Sequence, residues 1–356
     1  MSTFSTERFK ELVSYALKGV GADKSFELST YIGIRVFDGV LLLYSFDTEN
    51  YVIVSDKCVS DNFDVTVNAD LFTKLISKIN SDTIDLEVVD NTLVIKGNGK
   101  YTLELIPNEQ GEKFKFPDVR PDELEEIGKI SALDLVVVNN AIKASLSSVA
   151  GNVYSNYYFG DVIASTDKAM MGTFDRKIFD TPYLFNRAFV DLISMTGKDV
   201  TISKGDGKIV ATTELSENCM IDVVTTPSAD VDKFEIANIR KFMSQEIKSF
   251  CRFKKAQMLD LLDRLSLFVS KFDDGAIELH FTQDYIEVSS LASNGIERVD
   301  VTEFKDAQDM TIKINIDRFK NQLKAYSSDV VDLYYGSEIC IKLSDGDITQ
   351  VIALIK

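Results

Sequence analysis

Apolar and polar positions along this chain follow a pattern that returns three times. From Asn68 to Pro107, Leu71, Phe72, Leu75 and Ile79 predict one apolar helical stripe, while Asp70, Lys74 and Lys78 recur every fourth residue on another face. Ile84, Leu86 and Val88 then alternate with Asp85 and Glu87, and Tyr101, Leu103 and Leu105 with Thr102 and Glu104. That period of two belongs to half-buried strands. Asp90-Asn91 and Gly97-Asn98-Gly99 supply turns between them. The order is helix, strand, turn, strand, turn, strand.

A second copy runs from Asn186 to Pro227, with Phe189, Leu192 and Ile193 on its helix and the turn Gly205-Asp206-Gly207. A third runs from Asn315 to Lys356, with Phe319, Leu323 and Tyr326 and the turn Asp345-Gly346-Asp347. The corresponding Phe72, Phe189 and Phe319 lie 117 and 130 residues apart, a period too long for a solenoid and suited to three similar domains in tandem. Upstream of each copy the plan recurs more loosely. In the first domain a helix over Ser5–Lys18, with Phe9, Leu12, Val13, Ala16 and Leu17 on one face, precedes strands over 30–37, 40–46, 51–55 and 63–67. Further helices are predicted over 131–148 and 254–271, and further strands over 153–159, 161–166, 276–281 and 285–290. Phe116-Pro117 and the acidic run Arg120–Glu126 read as a linker, and a second boundary falls within 229–249. The expected domains are 1–122, 123–243 and 244–356. The fold class is α+β, each domain a doubled helix-plus-antiparallel-sheet unit.

A length of 356 residues fits several cores, and no apolar run reaches the roughly 18 residues of a membrane span. The sequence does not open on a basic segment followed by an apolar one, so a secretory leader is not expected. Cys58, Cys219, Cys251 and Cys340 stand far apart and His280 is the single histidine, which argues against zinc and against a disulfide framework. Buried thiols in a reducing cytoplasm are expected, with no cofactor. Enzyme signatures are weak as well. Gly97-Asn98-Gly99-Lys100 and Gly205-Asp206-Gly207-Lys208 lack phosphate-loop spacing, and His280 alternates with Leu279 and Phe281 as a strand residue.

Net charge is −17, yet the six predicted helices, 5–18, 69–80, 131–148, 186–198, 254–271 and 316–327, hold 15 Lys/Arg against 8 Asp/Glu. Helix propensity alone accounts for some of that, since Lys and Arg favour helices and Asp favours turns. An acidic scaffold or DNA mimic, which binds proteins and does not encircle DNA, is the rival reading of the charge. Such a protein would place its acid on an ordered face.

The order and spacing of several short motifs resemble the bacterial replicative sliding clamp, the beta subunit of DNA polymerase III, in a divergent or phage-encoded form. Asp38-Gly39-Val40-Leu41-Leu42-Leu43 followed by Asp47 resembles that family's first strand pair, Phe116-Pro117 its inter-domain Phe-Pro, and Ala164-Ser165-Thr166-Asp167 its Ala-Thr-Asp motif. The chain departs from the family after that motif, with Lys168-Ala169-Met170-Met171 where Gly/Ser-His-Arg-Leu is usual, and at its end, Ile352-Ala353-Leu354-Ile355-Lys356.

The resemblance implies a non-enzymatic homodimeric ring, helices inside and sheets outside, that encircles double-stranded DNA without reading sequence. It implies a lining drawn from Arg8, Lys18, Lys74, Lys78, Lys143, Arg187, Lys198, Lys255, Arg264, Lys320 and Lys324, with Lys24 where the family has a basic DNA contact. It also implies a pocket for short apolar motifs of a polymerase or clamp loader. Tyr154, Ser155, Thr166, Lys168, Ala169, Met170 and Met171 would form it with Val351, Ile352, Ala353 and Leu354. Tyr101, Leu267 and Phe268 would lie at the dimer interface, with ordinary core membership as the alternative for each.

Overall fold

The computed structural model describes residues 2–21, 25–292 and 294–356. The chain is α+β, with seven α-helices among these residues: α1 (Thr6–Lys18), α2 (Ala69–Lys78), α3 (Ala132–Val137), α4 (Arg187–Ile193), α5 (Ile236–Met243), α6 (Lys255–Leu265) and α7 (Ile316–Ala325). The chain divides into two compact units, one of residues 1–132 with 188–227 and the other of residues 133–187 with 228–356.

All three predicted repeats form. α2 leads into the meander Thr83–Val89, Thr92–Lys96 and Lys100–Glu104; α4 into Val200–Gly205, Lys208–Ser216 and Cys219–Thr225; α7 into Val330–Tyr335, Cys340–Asp345 and Ile348–Ala353. Local chemistry explains several of these starts and turns. Asn68 and Asn315 cap α2 and α7, their side chains accepting from the N–H groups of Leu71 and Arg318. Asp38-Gly39 and Asp206-Gly207 both take positive φ, the conformation of a two-residue hairpin turn matched to strand twist.

In the first unit an eight-stranded antiparallel sheet runs in the order Phe63–Asn68, Tyr31–Phe37, Val40–Phe46, Asn50–Lys57, Cys219–Thr225, Lys208–Ser216, Val200–Gly205, Glu125–Ile130. A four-stranded sheet runs Ser2–Ser5, Thr83–Val89, Thr92–Lys96, Lys100–Glu104. Phe9 and Phe72, both fully buried, meet edge to face at 6.3 Å between α1 and α2. In the second unit twelve strands make one sheet, in which Met170–Phe174 pairs with Ile348–Ala353, and Ser249–Lys254 links Val330–Tyr335 to Ile296–Lys305. A core under α6 and α7 holds Met258, Leu261, Leu262, Leu265, Phe319 and Leu323.

Several expectations need correction. Leu71 is 56% exposed; the buried face of α2 is Ala69, Phe72, Thr73 and Ile76, because the i, i+3, i+4, i+7 series starts at Ala69. The helix expected over 131–148 is α only to Val137, continuing as a π-turn over Val138–Ile142 and a 3-10 turn over Lys143–Ser145. Its Val136-Val137-Val138 run and Asn139-Asn140 are poor helix formers. The run Arg120–Glu126, expected as linker, leads into the edge strand Glu125–Ile130 and supplies its first two residues, and α5 lies inside the stretch expected to hold only a boundary.

Candidate functional site

The segment after the Ala-Ser-Thr-Asp run is a tight turn locked by its own side chains. Thr166 Oγ1 donates to the Met170 carbonyl at 2.8 Å and accepts from the Lys168 N–H at 2.9 Å. Asp167 Oδ1 accepts from the N–H groups of Ala169 and Met170 at 2.8 and 2.6 Å. These bonds hold Lys168 at φ +76°, a left-handed conformation that a residue with a Cβ adopts only when its surroundings impose it. The strand that follows pairs with the C-terminal strand, Met170 opposite Ile352 and Met171 opposite Val351, and the Ala353 N–H donates to Ala169 O at 2.8 Å.

An apolar cluster lies beside this ladder. Tyr154, Tyr158, Ala164, Leu184, Phe234 and Ile239 form its buried part, with Met171, Ile236 and Met243 partly buried against it. Phe234 stacks on Tyr158 at 5.5 Å and leans on Tyr154 at 5.6 Å. The end of α5 is tied down by Lys342, whose Nζ donates to the carbonyls of Met243 and Gln245 at 2.7 and 2.8 Å. Burial pulls that ammonium below its usual pKa. Burial, followed by the neighbouring Glu235 carboxylate, raises the Tyr154 phenol. Lys168 Nζ lies over the Tyr154 ring, 5.1 Å from its centre.

The expected pocket residues therefore come together, in two layers. Tyr154, Thr166, Met170, Val351 and Ile352 are buried and form a floor, whereas Ser155, Lys168, Ala169, Met171, Ala353 and Leu354 keep exposed surface. Beneath the floor, buried Gln322 of α7 donates from Nε2 to Ser145 Oγ at 2.8 Å and to Met170 Sδ at 3.5 Å. Sequence reasoning missed the part of this cluster made by Phe234, Ile236, Ile239 and Met243. Its signal was the spacing of Ile236, Ile239 and Met243 at i, i+3, i+7.

The candidate lining residues differ in what they offer. Lys18, Lys74, Lys78, Arg187, Lys198, Arg264 and Lys324 are exposed, and Arg8, Lys143, Lys255 and Lys320 are half-buried. Lys24 lies outside the described residues. Some charges are already engaged. Arg8 pairs with Asp56 at 2.8 Å and Glu11 at 2.6 Å, Arg264 with Glu297 at 2.5 Å, and Lys320 with Asp263 at 2.5 Å. Lys255 Nζ donates to the Tyr326 carbonyl at 2.7 Å, which ties α6 to the end of α7. Lys198 Nζ donates to the carbonyls of Glu214 and Leu215. Lys74 pairs with Asp70 at 2.8 Å on an open helix face, where such a bond is weak and easily exchanged. Lys18, Lys78 and Lys324 make no ion pair among the described residues.

The core alternative fails for the three apolar candidates. Tyr101 is 38% exposed on the edge strand Lys100–Glu104, and Leu267 and Phe268 are 82% and 52% exposed just after α6.

No protein-family model matches the chain, and no curated protein matches it. Solved structures do, over the whole length. The DNA polymerase III subunit beta of Pseudomonas aeruginosa superposes with a TM-score of 0.85 at 14% identity, covering 100% of this chain and 99% of that one. The beta subunit from the DNA polymerase of Streptococcus pyogenes gives 0.83 at 15% identity, covering 99% of each chain. The DNA polymerase III beta subunit of Thermotoga maritima gives 0.82 at 14%, covering 100% and 99%. The chain has the fold of these sliding clamps.

Proposed function

We propose that this protein is a DNA sliding clamp, a non-enzymatic processivity factor whose two copies close head to tail around duplex DNA and tether a polymerase through an apolar peptide pocket beside Lys168. One observation supports the closure above the rest. Each half of each repeat-bearing region ends in a strand, and these final strands pair with one another: Asn50–Lys57 with Cys219–Thr225, and Met170–Phe174 with Ile348–Ala353. Two final strands are left. Among the described residues, Lys100–Glu104 has a neighbour on one side only, and Ile296–Lys305, paired with Tyr285–Ser290 along 296–300, has no partner on the other side of that stretch.

An unpaired strand edge favours association, and a heterologous contact between these two edges makes a closed ring if the rotation suits. The exposed apolar side chains accompany them, Tyr101 on the first edge and Leu267 and Phe268 near the second. With the division into domains 1–122, 123–243 and 244–356, every junction, inside the chain and between copies, would then be of one kind. The basic helices, turned toward the duplex, would hold phosphates without reading bases.

The assembly is tested by sedimentation at micromolar concentration. A species of roughly twice 39.8 kDa is expected. A stable monomer would argue against the ring. Addition of the cognate loader and polymerase to a primed circle should lengthen the products.

A further inference from the structure

The turn that holds Lys168 occurs a second time, in the other compact unit. Ser45 Oγ donates to the Ala16 carbonyl in the last turn of α1, as Ser165 Oγ donates to the Ile142 carbonyl. Asp47 Oδ1 accepts from the N–H groups of Glu49 and Asn50 at 3.0 and 2.7 Å, as Asp167 does from Ala169 and Met170. Thr48 takes φ +91° where Lys168 takes +76°. Tyr51 then stands opposite Val224, as Met171 stands opposite Val351. Each place also carries an apolar cluster roofed by a phenylalanine from the next connection: Phe116 stacked on Tyr44 in one, Phe234 stacked on Tyr158 in the other.

The two copies differ in what fills them. Phe46 and Tyr51 stand where Thr166 and Met171 stand, and their rings stack at 4.2 Å. Phe26, the residue ahead of the 3-10 turn Glu27–Thr30, sets its ring edge-on to Phe46 at 5.7 Å. Ahead of the corresponding turn Val153–Ser155 the chain has Gly151 and Asn152. The Asn152 side chain is spent on the Tyr154 N–H at 3.0 Å, and neither residue has a ring to place over Thr166.

We propose that the copy around Phe46 is a docking pocket closed by its own chain, with Phe26 as the tethered occupant, so that partners meet only the copy beside Lys168. The inference rests on the reading of that second copy as a peptide site and adds a reason why one of the two is open. Phe26 is 50% exposed, as befits a ring that enters from the solvent side and not from the core. Its contact with Phe46 has the edge-to-face geometry that aromatic pairs prefer. A ring joined to its pocket by a short stretch of chain acts at an effective concentration on the order of millimolar, which a free peptide at micromolar concentration does not match.

The test uses N-acetyl-4-fluorophenylalanine amide, a free analogue of the Phe26 side chain, followed by fluorine NMR against the full-length protein and by soaking into its crystals. Phe26→Ala is expected to bind about twice as much probe as the native protein, two open copies against one, with the added ring located over Phe46. Phe26→Leu keeps an apolar occupant and should bind no more than the native protein. Unchanged thermal unfolding, expected for a half-exposed side chain, shows that the variants remain folded. If folded Phe26→Ala binds no more probe than the native protein, or if the native protein already takes the probe over Phe46, the inference is wrong and the reading of the pocket beside Lys168 stands. If the probe enters over Phe46 in Phe26→Ala and binds beside Lys168 in none of the three proteins, Phe26 is confirmed as the occupant and the reading of the pocket beside Lys168 is what fails.

Discussion

Val52 stands directly opposite Val223 in the ladder between Asn50–Lys57 and Cys219–Thr225, and both are buried. The two residues are 171 positions apart, and their strands convert two four-stranded sheets into one of eight. Each of those strands closes a helix-led half-repeat. The same relation holds between Gly172 and Gln350. Strand ends of one type meeting each other is thus a rule of this fold, and the proposed assembly is its extension to a second copy.

Removing an exposed apolar group from the proposed contact should separate assembly from folding. Leu267→Asp is expected to shift the sedimentation equilibrium toward monomer at least tenfold. Its unfolding midpoint, measured at a concentration where both proteins are monomeric, should move little, since surface substitutions usually stay within about 0.5 kcal/mol. A large loss of protomer stability would place Leu267 in the core role that its exposure argues against.

Gly33 permits a close approach that no other residue would. A Cβ at that position would sit 2.5 Å from the Cβ of Phe116, a fully buried ring stacked 5.9 Å from Tyr44. Gly33→Ala should therefore destabilise the protein by about 1–3 kcal/mol through overpacking. Urea denaturation is the measurement, with an unchanged m-value.

The α6–α7 tie should show a pH signature. The Lys320 ammonium hydrogen-bonds Asp263 and holds its carboxyl below the ordinary 3.8. A lowered folded value means the pair adds stability at pH above 3.8 and loses it as pH falls through the lowered value. Asp263→Asn should consequently cost stability at pH 7 and converge with the native protein in acid, once pH has fallen through the lowered value. A difference between the two that persists undiminished in acid would contradict the pairing.

Lys78 and Lys324 are exposed and without ion pairs among the described residues, so both are available to phosphates. The double variant Lys78→Glu, Lys324→Glu should weaken binding to duplex DNA of any sequence alike. It should also flatten the plot of log K against log salt by about one unit for each phosphate that is no longer neutralised. Equal salt slopes for native and variant protein would remove both residues from the lining.

Much of this was legible in the chain. The turn residues, the apolar helical stripes and the period-two strands are local signals, and the three meanders follow from them. Glu125–Ile130 escaped because an edge strand can carry charge; Glu125 pairs with Lys204, its cross-strand neighbour on Val200–Gly205, at 3.1 Å instead of packing. Ile296–Lys305 is similarly polar. Pairing between distant strands was not legible at all, since nothing in the letters of Asn50–Lys57 selects Cys219–Thr225 over another apolar strand. The motif and its spacing pick out the residues around Lys168, but which of them are buried and which exposed depends on α5, whose short apolar series lay inside an expected boundary.

The central claim is that the protein surrounds DNA instead of adhering to it. The most direct measurement is retention on a nicked circular plasmid through gel filtration at high salt, after loading, followed by cutting the same plasmid once. The protein is expected to stay with the circle when phosphate contacts are screened and to leave when the DNA gains ends. Loss from the intact circle at high salt, or equal retention on circle and cut DNA, would contradict the claim.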